Sequence, residues 1–289
     1  MMPRRVTMAA VTGLQLGTPP PTRSRRRWLI GLVFAWMAVV VVVGTWSVWH
    51  SPATVPEQRD IAHAVPDLQR AAGVAFAAAD GDGRVVVLGE LELIGDCRIT
   101  PLRHGYVVAR DLTVYVREGD AHAMLDAIAG ALPEAYGAQV SESRGGTRLG
   151  MHADAGNFIG IDTTLDATAK AITLRLTSGC RPGPAGSVDR RDPGAAAAPA
   201  ELATVLTGLG AVEPAPQVRA VACPDGGVAA SYVVQVPPPA DLASRMRTVS
   251  AGATIVRSDD AAWAYRKNGV SVVVVPDGEQ VRVSAGTGC

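Results

Sequence analysis

Residues 28–49 read WLIGLVFAWMAVVVVVGTWSVW, a run with no charged side chain and five consecutive valines, Val39 to Val43. At about 1.5 Å per residue, these 22 residues make about 33 Å of helix, enough to cross a hydrocarbon core of about 30 Å. Trp28 marks one end, and Trp46 and Trp49 the other, where amphipathic rings favour the headgroup level. The stretch predicts one transmembrane helix, and its orientation decides where everything after it folds.

Arg4, Arg5, Arg23, Arg25, Arg26 and Arg27 precede the helix, and no acidic residue does. Basic side chains resist translocation, so residues 1–27 are expected to form a cytoplasmic tail of a single-pass plasma-membrane protein whose C-terminus is extracytoplasmic. A cleaved signal peptide shares the basic start. The long apolar run, the 27-residue leader and the lack of a small-x-small site before Ser51 weigh against it. Ser24-Arg25-Arg26-Arg27-Trp28-Leu29 looks like a twin-arginine signal, but such signals introduce less apolar segments, and a stop-transfer cluster is the preferred reading.

With 289 residues and 48% hydrophobic content, the chain is long enough for one or two cores. Without the six tail arginines, 21 basic residues face 27 acidic ones, which argues against a nucleic-acid partner. Lysine occurs only at Lys170 and Lys267, against abundant Ala, Gly, Val, Arg and Pro, a bias of GC-rich bacterial coding sequence.

Residues 50–66, with Pro52, Pro56 and Pro66, suit an extended stalk. A second tract, 181–199, carries Pro182, Pro184, Pro193 and Pro199 around Asp189-Arg190-Arg191-Asp192, read as a solvated cluster in a linker. The segments after each tract, 67–180 and 200–289, share an order of elements that amounts to a weak internal repeat. Pro66-Asp67-Leu68 and Pro199-Ala200-Glu201-Leu202 each open a helix. A strand comes after it, Val85 to Asp96 before Cys97 and Val218 to Ala222 before Cys223. Next come strand ends at Val114-Tyr115-Val116 and Val234-Gln235-Val236, then helices over Ala121 to Leu132 and Ala240 to Val249. Their apolar stripes start from Met124 and Ile128, and from Leu242 and Met246. Each segment then holds a hairpin, with tips at Ala155-Gly156-Asn157 and Asn268-Gly269, and closes on a strand before Cys180 or Cys289. The expected fold is α+β: one transmembrane helix and then two similar small lobes.

All four cysteines come after the helix, as suits an oxidising compartment, and there is no Cys-x-x-Cys for zinc or redox chemistry. Four cysteines allow three pairings. The repeat selects Cys97 with Cys180 and Cys223 with Cys289, one bond per lobe.

No Gly-x-Ser-x-Gly, His-Glu-x-x-His or Walker-type loop is present, and neither lysine has a serine three residues before it. No catalytic, cofactor-binding or metal-ligating residue is assigned. Asp80-Gly81-Asp82-Gly83 lacks the later acids of a calcium loop and reads as a polar turn. His104, His122 and His152, with Asp154 and Asp162, are the residues from which an acid/base or metal site could be built. Without paired spacing they read as surface or hydrogen-bonded groups. Arg103, Arg110, Arg117 and Arg144 likewise read as solvated rather than as an anion patch.

The sequence therefore points to a non-enzymatic envelope protein whose lobes present a surface or inter-lobe cleft to an envelope protein or small ligand. The alternative is a cell-surface hydrolase of unrecognised family using the first-lobe His and Asp residues. A third reading gives the inner tail a cytoplasmic partner. Protease added to spheroplasts is expected to digest the chain beyond residue 50 and to spare the tail and helix; protection of the C-terminal part would reverse the orientation.

Overall fold

The structure, a computed structural model, describes residues 23–50, 59–100, 103–212 and 214–289. The tail before Arg23, with Arg4 and Arg5, the stalk residues 51–58, and the side chains of Arg23, Arg25 and Trp49 lie outside the described residues. The chain divides into two compact units, 1–54 and 55–289.

In the first unit, helix α1 (Arg23–His50) contains a span, Arg26–Ser47, of mean hydropathy 2.3 whose residues are all exposed. Thr45 Oγ1 donates to the Val41 carbonyl at 2.8 Å, which satisfies its hydroxyl inside an apolar helix. This is the one described helix long and apolar enough to cross a membrane, and together with the disulfides it marks a membrane-anchored or secreted protein.

The second unit begins with α2 (Ile61–Ala79), β1 (Val85–Thr100), β2 (Arg103–Tyr115), α3 (Ala121–Ala131), β3 (Gln139–Ser143), β4 (Arg148–Asp154), β5 (Gly160–Asp166) and β6 (Ala171–Thr177). It continues through α4 (Ala200–Leu209), β7 (Gln217–Ala222), β8 (Val228–Val236), α5 (Leu242–Val249), β9 (Thr254–Asp259), β10 (Ala262–Lys267), β11 (Val270–Asp277) and β12 (Gln280–Thr287). Two six-stranded sheets result, in the orders β1-β2-β6-β5-β4-β3 and β7-β8-β12-β11-β10-β9. The two orders are the same, and every named pairing is antiparallel.

Local chemistry sets several boundaries. The first helix starts at Ile61 and not at Pro66, because Asp60 caps it by accepting the Ala62 N–H at 2.9 Å. The expected stalk therefore ends before this helix. Pro66 sits inside α2, where its ring nitrogen has no hydrogen to donate to the Ala62 carbonyl. At the other helix Pro199 is the N-cap, at φ −65°. The β10–β11 turn places Asn268 at φ 51° and Gly269 at φ 78°, the paired positive values that a two-residue hairpin requires. In α3 the buried stripe runs through Ala121, Leu125 and Ile128, with Met124 only half-buried.

Cys97, in β1, is bonded to Cys180, just beyond β6, and Cys223, just beyond β7, to Cys289 after β12. The bonds close separations of 83 and 66 residues. Each contributes about 4 kcal/mol in the chain-entropy description, the second by pinning the C-terminal strand.

The sheets meet edge to face. Strand β1 is the edge of the first sheet, and its Val86 and Leu88 N–H groups donate to Ser271 Oγ at 3.2 Å and Ser231 Oγ at 3.0 Å, both on the face of the second sheet. Val85, Val256, Ala264 and Val273 form a small apolar cluster at this junction. Gly286 allows the close approach, since a Cβ there would lie 3.3 Å from the Val86 carbonyl oxygen. On the other side of β1, α2 fills the angle. Eleven of its nineteen residues are buried, and Gly73 fits so closely that a Cβ would overlap the Ala222 carbonyl oxygen. The main core accordingly takes in Val221, Cys223 and Ala229 from the second sheet's side.

The tract 181–199, expected to be a free linker, is laced into this junction. Arg181 is buried and pairs with Tyr106 through backbone bonds, and the Pro182 carbonyl accepts the Ile61 N–H at 2.8 Å. Asp192 is not a solvated acid, nor Arg110 a solvated base. The Arg110 side chain is fully buried and donates to both Asp192 carboxylate oxygens, at 3.0 and 2.7 Å, to the Gly89 carbonyl at 3.0 Å and to the Ala220 carbonyl at 3.2 Å. Asp192 also accepts the Ala220 N–H at 2.8 Å. Together Arg110 and Asp192 occupy the edge of β7, where the preceding Pro216 has no N–H to offer, so the edge is guarded against further pairing. Arg110→Met is expected to destabilise the compact unit by about 3–5 kcal/mol, because it strands a carboxylate and two carbonyls. Urea unfolding of the full chain in detergent checks this, and a loss under about 1 kcal/mol would deny the cluster its role.

Candidate functional site

The edge-to-face junction leaves a groove of ≈ 470 Å³ on the side of β1 opposite α2. That volume falls in the range of small-ligand sites, about 300–1,000 Å³. One wall comes from the first sheet: Glu90 and Glu92 of β1, and Asp111, Thr113 and Tyr115 of β2. The other comes from the second: Gln217 and Arg219 of β7, Gln235 of β8, and Arg282 and Ser284 of β12. Carboxylates line one wall and guanidiniums the other.

Most of these charges are held by neighbours. Arg175 donates to both Asp111 oxygens, at 2.8 and 3.0 Å, and lies 3.6 Å from Glu92, so it fixes the acidic wall from the neighbouring strand β6. Arg282 is held by Asp277, whose carboxylate also accepts from Gln235 at 3.0 Å. The hydrogen bond from Arg282 holds the Asp277 carboxyl below its ordinary value.

Two opposite charges are not held. Glu90 sits in a β-bulge, the register shift between Leu88 and Leu91. Gly89 makes this bulge possible, since a Cβ there would lie 2.7 Å from the Asp111 carbonyl oxygen. Glu90 is exposed at the groove, and Arg219 is half-buried opposite it; among the described residues no hydrogen bond or ion pair engages either side chain. Burial lowers the Arg219 pKa, Glu90 works against that, and Arg282 and Arg110 reinforce it. Glu90 and Arg219 thus feel each other without closing into a pair.

The histidines highlighted by the sequence lie elsewhere. His152 Nδ1 is 2.7 Å from Asp162 Oδ1 across the β4–β5 pairing, both side chains more than half exposed. His122 lies 3.2 Å from Glu142 and 3.5 Å from Asp126 on the surface of α3. His104 lies on an exposed stretch of β2, and Asp154 caps the next turn by accepting the Gly156 N–H at 2.9 Å. Asp80, in the acidic turn, pairs with Arg266 at 2.5 Å. Among the described residues no three His, Cys, Asp or Glu side chains converge as a metal site. Nor do the four arginines form one patch. Arg110 is buried, Arg103 opens β2 and Arg117 follows its other end, two residues after Tyr115.

No protein-family model and no curated protein sequence matches the chain. A crystal structure of a DUF4853 family protein from Actinomyces odontolyticus is similar over 60% of this chain and 91% of that one, at 17% identity and a TM-score of 0.34.

Burial raises the pKa of Tyr115 in the groove, with Arg257 and Arg282 pulling it back, and raises that of Tyr265 in the second core, where Glu201 adds to the effect. A tyrosine whose folded value exceeds its unfolded value of about 10 contributes stability that is complete below that pH and lost as pH rises through it. Urea midpoints are therefore expected to fall from about pH 10 upward, and the fall should be shallower in Tyr265→Phe. An equal fall in the variant would assign the alkaline loss to other groups.

Proposed function

We propose that the chain is a non-enzymatic binding module of the bacterial envelope, anchored by α1 with its N-terminus in the cytoplasm and 55–289 outside the plasma membrane. The ligand site is the groove between the sheets. The observation that carries this reading is the groove's construction: two walls from different sheets, of opposite charge, joined at an edge that hydrogen bonds hold rigid. The arginines ahead of the helix support the orientation, and disulfides suit the exterior. The common strand order supports an origin of the two lobes in one repeated unit, so the groove is a feature of the pair and absent from either copy alone.

A photo-crosslinking amino acid at Thr113 or Gln235, on the two walls, is expected to capture the ligand from native membranes, whereas the same group at the exposed Arg247 of α5 should not. Capture at Arg247 with none at either wall would move the binding surface out of the groove.

A further inference from the structure

The unclosed pair at the groove identifies the chemistry of the molecule that enters it. Arg219 is a permanent cation, half-buried and without a partner among the described residues, on the wall from the second sheet. Losing water without gaining an acceptor is unfavourable for a guanidinium, and a carboxylate offers it two parallel hydrogen bonds. Across the groove Glu90 projects from its bulge, also without a partner among the described residues, beside Glu92 and Asp111 on the acidic wall. Arg282 and Ser284 extend the first locus as donors, and Glu92 and Asp111 extend the second as acceptors, although Asp277 already engages Arg282 and Arg175 engages both acids. Both unpartnered residues also line the continuation of the cleft along 188–192, so the pair sits at the waist of a longer trough. The trough suits an elongated ligand with a negative group and a positive group at separate points.

Resting on the reading of the groove as the ligand site, we infer that it binds a short zwitterionic peptide, its carboxylate on Arg219 and its ammonium on Glu90. Between the two loci the lining mixes the neutral polar side chains Gln217, Gln235 and Thr113 with apolar ones such as Val87, Val273 and Val275, so the charged termini supply the main directional contacts. Because each charge comes from a different sheet, one ligand bridges the two halves of the unit.

The test uses the full chain in detergent and an equimolar pool of tripeptides with free termini, read by native mass spectrometry. The free pool is expected to bind. N-acetylation or C-amidation of the pool should each weaken binding about tenfold or more, the scale of one charge-assisted hydrogen bond. Arg219→Gln should bind weakly and become indifferent to amidation, and Glu90→Gln indifferent to acetylation. Among the described residues neither has a partner to lose, so thermal unfolding of both variants should match the parent. Capped pools binding as well as the free pool, variants that keep the parent's cap sensitivity, or no peptide binding at all would each overturn the inference. If wall-specific photo-crosslinking still captured a ligand in that case, the groove reading would stand and only the peptide assignment would fall.

Discussion

The unit at 55–289 is organised around an edge strand set on the face of another sheet. The outward N–H groups of β1 at Val86 and Leu88 would be buried and unpaired without Ser271 and Ser231, at a cost of about 1–3 kcal/mol each. Supplying those two hydroxyls fixes how the sheets meet. It also protects an edge that would otherwise template further pairing. Setting an edge against a face creates two angles. Helix α2, alanine-rich and with eleven of its nineteen residues buried, fills one of them, and the other stays open as the groove.

Charge obeys the same geometry. Arg110 and Asp192 sit where β1, β2, β7 and the 181–199 tract converge, and they satisfy each other together with the outward backbone N–H and carbonyl of buried Ala220. Around the open angle the first sheet contributes mainly acids and the second mainly bases, and Arg175 and Asp277 hold most of them in place. The charges left unmatched lie one on each wall. On the proposed reading such a cleft is preorganised for a ligand of mixed charge, because its fields are fixed before anything binds.

Elements with strong local signals are legible along the chain. The apolar run from Trp28 and the Asn268-Gly269 turn depend on neighbouring residues alone, and both occupy their expected places. The start of α2 is harder to place, because Pro66 is a conspicuous helix-opening residue while the true cap is the side chain of Asp60. Asp192 and Arg110 look solvated, since an Asp-Arg-Arg-Asp run is normally a surface feature and nothing local reveals a partner 82 residues away. The histidines stand out by residue type, while the groove residues Glu90 and Arg219 carry no motif. Their one hint is Gly89 interrupting a strand pattern, a mark of a bulge that can redirect a side chain.

By itself the sequence determined the features that composition and short-range periodicity control: an apolar helix near the N-terminus, four cysteines beyond it, and α+β segments in a recurring order. The tertiary structure decided which groups separated in sequence share one place. Ser231 and Ser271 read as ordinary strand residues until β1 needs acceptors on that face. Glu90 and Arg219 come to line one groove only because two sheets pack edge to face. Local pattern sets the elements because backbone hydrogen bonds and side-chain periodicity act over a few residues. The site arises from contacts between sheets, and those depend on which buried donor finds which acceptor across the fold.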